Sequence, residues 1–228
     1  MRIGTKSVLF GAHCFFLHPW FVAWAWWELY GFPWDPRLWV AFAVHDLGYF
    51  GKPNMDGEEG ERHPWFGARV CSYLFATSIV LPSRFARTIG RVLDVLFGQD
   101  AYGTNWYSLL LYHSRFLAKQ YGAPPSRFCM ADKLAIALTP AWLYLPLVRV
   151  TGEIYEYMAL AKKRNLVVGD PTAQGKYVSM NLGTANQKIW YADVRRYVRR
   201  WVEEHKDGRE DTWTPDTKKA KTDSGVWE

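Results

Sequence analysis

Residues 18–50 read HPWFVAWAWWELYGFPWDPRLWVAFAVHDLGYF, and this stretch decides how the chain folds. His18-Pro19 opens a helix, because proline is tolerated in a first turn. Val22, Ala23, Trp26, Trp27 and Tyr30 then follow at helical spacing. Gly31 stops that helix, Phe32-Pro33-Trp34-Asp35-Pro36 is a rigid connector, and a helix over 37–47 ends at Gly48. One histidine therefore heads a helix, and the pair His45-Asp46 closes the next. Burying an unpaired charge costs on the order of several kcal/mol, so such groups must be paired or bound to a metal.

Outward from this stretch the pattern stays helical. An apolar helix is predicted over 7–16, and after the pair comes an acidic loop, 48–62, with Asp56, Glu58, Glu59 and Glu61. His63-Pro64 begins a helix to about 76, and Pro82-Ser83 caps one over 84–97. Asn105 or Trp106 starts a helix that carries His113 to about 121, and residues 126–138 form the next, with Asp132. A helix over 143–163 is expected to bend at Pro146 and Gly152. Gly-, Pro- and Val-rich pieces over 165–183 suit a small hairpin, and 186–205 is a final amphipathic helix. Residues 206–228 are rich in Lys, Asp, Thr and Pro and read as a flexible polar, basic tail. No internal repeat and no long alternating pattern is present. The fold class is all-α: one helical domain over 1–205 with the tail behind it.

Composition narrows the function. With 228 residues, 49% hydrophobic, the chain buries a sizeable core. Three cysteines in apolar contexts (Cys14, Cys71, Cys129), with no CxxC pair, favour buried thiols in a cytoplasmic protein over a disulfide framework. The net charge of +6 is modest and concentrated late in the chain. Arg195, Arg196, Arg199 and Arg200 read as a solvated helix face, which disfavours a nucleic-acid partner. Residues 7–27 and 134–148 are uncharged. The first is interrupted by His13, His18 and Pro19, and the second falls short of the roughly 20 residues a span requires, so no membrane partner is expected. The Trp-rich helix is assigned to the core rather than to base stacking. His205, near the tail, is expected to be exposed.

The ordered set goes further than its parts. His18 with Val22-Ala23, His45-Asp46-Leu47-Gly48, His63-Pro64 with Gly67-Ala68, His113, and Ala131-Asp132-Lys133-Leu134 together resemble the HD-domain superfamily of metal-dependent phosphohydrolases over roughly residues 13–140. The resemblance implies an HD-type helical bundle. It also implies a first metal held by His18, His45, Asp46 and Asp132, and a second held by His63 and His113 with Asp46 shared. In single-metal members the additional histidines contact phosphate or relay protons, so the cofactor is one or two divalent ions. Imidazole with carboxylate suits Fe, Mn, Co, Ni or Zn better than Mg. Taken singly, Asp132 also reads as a helix-face partner of Lys133 or Arg127, and His13 as a substitute for His18.

An anionic substrate needs fixed positive charge, and Lys52, Arg115, Lys119 and Lys133 are the candidates, Arg115 first because planar guanidinium clamps phosphate oxygens. Asp46, His63 and His113 are the expected catalytic groups. Glu61, or Glu58, in the acidic loop could serve as acid or base, and that loop could act as a lid. His113-Ser114-Arg115, with no Gly-Tyr-Pro loop, departs from the cyclic-dinucleotide branch. The expectation is hydrolysis of a nucleotide or related small phosphate ester by metal-activated water, a deoxynucleotide first. The alternatives are an HD-type mixed-valent di-iron oxygenase and a non-catalytic nucleotide-binding regulatory module. A homo-oligomer is compatible with all three.

Overall fold

The computed structural model describes residues 1–75, 84–98, 102, 105–167, 186–211 and 213. The helices are α1 (Ile3–Phe10), α2 (His18–Tyr30), α3 (Pro36–Val44), α4 (Glu58–Glu61), α5 (Pro64–Phe75), α6 (Arg84–Phe97), α7 (Trp106–Leu111), α8 (Arg115–Gln120), α9 (Arg127–Leu138), α10 (Ala141–Thr151), α11 (Glu153–Val167) and α12 (Gln187–His205). A 3-10 turn, Leu47–Tyr49, follows α3. No strand occurs among the described residues, so the all-α single-domain reading holds. The hairpin proposed over 165–183 lies almost wholly outside the described residues, as do Pro82-Ser83 and most of the tail.

Helix α9 is the axis of the core. Phe128, Cys129, Met130, Ala131, Leu134, Ala135 and Ala137 are buried on all sides of it, which marks a helix enclosed by others rather than amphipathic. Helices α2, α7 and α12 pack against α9, and α5 packs on α7 and α3. Val22, Ala25 and Trp26 of α2 meet Leu38 and Phe42 of α3 in the same cluster. A second cluster joins Tyr144 and Val148 of α10, Ile154 of α11, and Trp190 and Tyr191 of α12. All three cysteines are buried free thiols, as their apolar surroundings implied.

Local chemistry sets the helix ends. Asp35, Asn105, Ser114, Ser126 and Asn186 each accept from a backbone N–H of the first turn that follows, a cap contributing about 1 kcal/mol. One of these caps and one glycine revise the predicted elements. The helix expected over 105–121 is two short ones, because Ser114 caps α8 and leaves His113 in the break. The expected helix over 143–163 begins at Ala141 and divides at Gly152, whose φ of +82° lies in the left-handed region that glycine tolerates. The first helix is earlier than expected, over Ile3–Phe10 rather than 7–16. It stops at Gly11, where the carboxylate of Glu153 crowds in and accepts from the Ala12 N–H at 2.6 Å.

Three further readings change. The Trp-rich helix is only partly core: Trp26 is buried, while Trp20, Trp24 and Trp27 face outward. Aromatics stand on every side of α2, so one face had to remain uncovered. His205 is buried, its Nδ1 donating to the Trp201 carbonyl at 2.6 Å and its ring stacked on Trp201, because Asp211 and Trp213 fold back over it. Arg195 and Arg199 donate to the Ala137 carbonyl in the last turn of α9, so half of the supposed solvated face binds another helix.

Candidate metal centre

The six singled-out side chains converge. His18 is the first residue of α2, His45 and Asp46 follow α3, His63 precedes α5, His113 lies between α7 and α8, and Asp132 is midway along α9. All six are buried. Their donor atoms form two groups, His18, His45, Asp46 and Asp132 in one and Asp46, His63 and His113 in the other.

Asp46 divides its oxygens between the groups. Oδ2 stands 3.0 Å from His45 Nε2 and 3.4 Å from His18 Nε2. Oδ1 stands 3.4 Å from His63 Nε2 and 3.7 Å from His113 Nε2. Asp132 Oδ1 completes the first group, 3.0 Å from His18 Nε2 and 3.7 Å from His45 Nε2. Ligands about 2.0–2.2 Å from a common cation stand about 2.9–3.6 Å apart at octahedral or tetrahedral angles. Four of the six observed edges fall within that shell, and the two of 3.7 Å lie just outside it.

The imidazoles are held in one tautomer from outside. Nδ1 of His45, His63 and His113 each donates to the carbonyl three residues earlier, of Phe42, Gly60 and Leu110 respectively. A carbonyl only accepts, so these Nδ1 atoms carry protons and each Nε2, the position left for a cation or a second proton, faces inward. His63 Nε2 and His113 Nε2 consequently face each other at 2.9 Å, an arrangement that repels unless a cation or proton lies between them. His45 Nε2 and Asp46 Oδ2 are buried with no hydrogen-bond partner. These orphaned atoms and the mixed imidazole–carboxylate set fit a divalent transition metal.

The surroundings tighten the geometry. Lys133 Nζ donates to Asp132 Oδ2 at 2.8 Å, leaving Oδ1 for the centre. Tyr49 stacks on His63 with centroids 3.8 Å apart. A methyl on Gly48 would sit 2.0 Å from the His63 carbonyl oxygen, and one on Gly67 2.9 Å from His45 Cα, so these glycines let the ligand-bearing backbones meet.

The proposed substrate contacts are placed less uniformly. Lys133 is paired with Asp132. Arg115 is committed to Asp211 at 2.9 Å and Tyr197 at 3.0 Å and lies over Trp201, and Lys119 donates to the Asp211 carbonyl. Neither Arg115 nor Lys119 is brought to the histidine cluster. Lys52 lines a cavity of about 540 Å³ with Gly48, Arg62, His63, Trp65 and Arg69. Glu61 accepts from Ser114 Oγ at 3.0 Å, one residue past His113, and Glu58 pairs with Arg62.

His13, read in the sequence only as a substitute for His18, stands beside the cluster, while His18 takes the place in the donor group. His13 is bonded through Nδ1 to Ser7 Oγ at 2.9 Å, its ring packs against His18 and Tyr49, and the buried Glu153 stands 3.8 Å away. The uncharged flanks of His13 gave no sign of Glu153, which lies far along the chain.

Without a cation the Asp46 and Asp132 carboxylates stay ionised and hold a proton on His45. Burial disfavours the charged form of His45, but Asp46 and Asp132 outweigh it and push the pKa up to about 10. Burial drives His63 down to about 3, with His113 adding to the effect. A pKa raised from the ordinary 6.5 stabilises the fold fully below pH 6.5, and that contribution fades as pH climbs toward 10. A bound cation replaces this proton and removes the loss. The Tm gap between metal-loaded and chelator-treated protein is therefore expected to widen from pH 6.5 to 10, read by differential scanning fluorimetry; a gap that narrows would contradict the assignment of His45 as a ligand.

Comparison of the chain with protein-family models, curated proteins and solved structures yields no match. The metal-binding reading therefore rests on the residues and their geometry.

Proposed function

We propose that the chain is a metal-dependent phosphohydrolase of the HD type, acting on a nucleotide or related small phosphate ester. The observation that carries this is the inward convergence of four imidazoles and two carboxylates into two donor groups that share Asp46. A bound divalent ion neutralises phosphoryl oxygens and lowers the pKa of water toward 7. The chain's own groups hold that chemistry in place. Phe42, Gly60 and Leu110 fix the ring tautomers, Lys133 steadies Asp132, and Asp46 ties the two donor groups together.

The ordered set His18, His45-Asp46, His63, His113 and Asp132 supplies the reaction class through its resemblance to HD phosphohydrolases. The cavity beside His63 supplies the rest of the argument. Its volume of about 540 Å³ lies within the roughly 300–1,000 Å³ of small-molecule sites, and Lys52, Arg62 and Arg69 line it with positive charge. Glu61 is the proposed proton donor or acceptor, held at the edge of the cluster by Ser114.

The test is a phosphate-release screen over deoxynucleotides, ribonucleotides, dinucleoside polyphosphates and sugar phosphates, with protein loaded in turn with Mn, Fe, Co, Ni or Zn. Release from nucleotides is expected, abolished by chelation and restored by the metal. Loaded protein that releases no phosphate from any of them would overturn the proposal, and oxygen consumption in its place would point to the oxygenase chemistry.

A further inference from the structure

Between Lys6 and Lys52 the charged residues are Glu28, Asp35, Arg37 and Asp46, and all but Glu28 are buried. The exposed large side chains of this stretch are otherwise mostly aromatic. Trp20, Trp24 and Trp27 stand at i, i+4 and i+7 on α2 and are 65%, 48% and 58% exposed. Trp27 meets Phe32 with ring centroids 5.7 Å apart, Phe32 meets Trp34 at 4.5 Å, and Trp20 meets Trp39 at 5.8 Å. Trp27, Phe32 and Trp34 thus form one run of rings and Trp20 with Trp39 another, with Trp24 between them on the same side of α2, and Trp34 is 76% exposed.

The size of this aromatic face separates it from ordinary surface. Aromatic side chains present about 150–250 Å² each, so six of them exposed by about half give roughly 500–800 Å². The largest apolar patch on a typical monomer is about 300–600 Å². Each partner in a standard protein interface contributes about 800 Å².

We propose that this face is where two copies of the chain meet, α2 against α2 about a two-fold axis. An isologous contact needs a face that complements itself, and rings that pack edge to face on one another supply it. Enrichment in Trp and Phe with depletion of charge is the composition of an interface centre. A face seated on an anionic bilayer would be ringed by Lys and Arg; the exposed charge of this stretch is the acidic Glu28.

Sedimentation velocity on the full chain, from nanomolar to tens of micromolar, tests this. Wild-type protein is expected at twice the 26.5 kDa chain mass. The combined substitutions Trp24→Glu, Trp27→Glu and Trp34→Ser are expected to give a monomer with unchanged circular dichroism. Trp142→Ser, which alters an exposed tryptophan on α10, should leave the dimer intact. A wild-type monomer throughout, a dimer that survives the triple substitution, or a dimer lost with Trp142→Ser would each overturn the proposal. So would a monomeric wild type that floats with vesicles of phosphatidylcholine and phosphatidylserine while the triple variant does not, which would give the face to a bilayer.

Discussion

Replacing Asp46 by alanine is expected to empty both donor groups of metal and to reduce phosphate release to background. Asp46 contributes Oδ2 to the group containing His18 and His45, and Oδ1 to the group containing His63 and His113, so one truncation removes a ligand from each. The remaining imidazoles then face one another with one carboxylate fewer to offset the charge of a cation. Loss of an outer partner of a metal ligand alone costs roughly 10–100-fold in affinity or activity, and loss of a shared ligand should exceed that. Asp46→Asn keeps the shape but offers one neutral oxygen, and should retain weak loading. Titration with Mn or Zn, read by calorimetry with circular dichroism as the check on folding, distinguishes these outcomes. Wild-type loading by a folded Asp46→Ala protein would contradict the role given to Asp46.

The second large effect concerns stability. Arg37→Ala is expected to lower unfolding free energy by about 3–5 kcal/mol, the cost of removing one partner from a buried ion pair. Arg37 is buried just past the Asp35 cap. Its guanidinium binds Asp35 through Nε and Nη2, Asp94 of α6 through Nη1 at 2.7 Å, and the Gly98 carbonyl at 2.9 Å. Tyr102 also donates to Asp35, and the guanidinium lies over Trp106 at 5.1 Å. Without Arg37, the buried Asp35 and the half-buried Asp94 lose their guanidinium partner. At about 2–4 °C per kcal/mol for a chain near this size, Tm should fall by roughly 6–20 °C. Urea denaturation of chelator-treated protein measures this apart from metal loading, and a change under about 1 kcal/mol, the range of surface pairs, would show that the network contributes little.

The buried cluster was legible because most of its members carry a local signature: a proline after His18 and after His63, a glycine two residues after Asp46, and Ala131 and Leu134 about Asp132; His113 carries none. The backbone that delivers the ligands was not legible. His45-Asp46 and His113 were read as helical, yet they lie in turns just past α3 and α7, where each histidine ring bends back to a carbonyl three residues earlier. Periodicity does not see that closure. Contacts made across long stretches of chain were equally hidden. Arg115 resembled a phosphate clamp only while its carboxylate, Asp211, lay 96 residues away in what read as a free tail. The same returning segment buries His205. Helix α2 offered no apolar side to choose, so its spacing gave the helix but not the face that turns outward.

Elemental analysis of the purified 228-residue chain, after equilibration with Mn, Fe or Zn and removal of excess, tests the central claim most directly. The account predicts two metal ions per chain in the wild type and one in the double variant His63→Ala, His113→Ala. A folded wild-type protein that retains no metal under any of these conditions would contradict it.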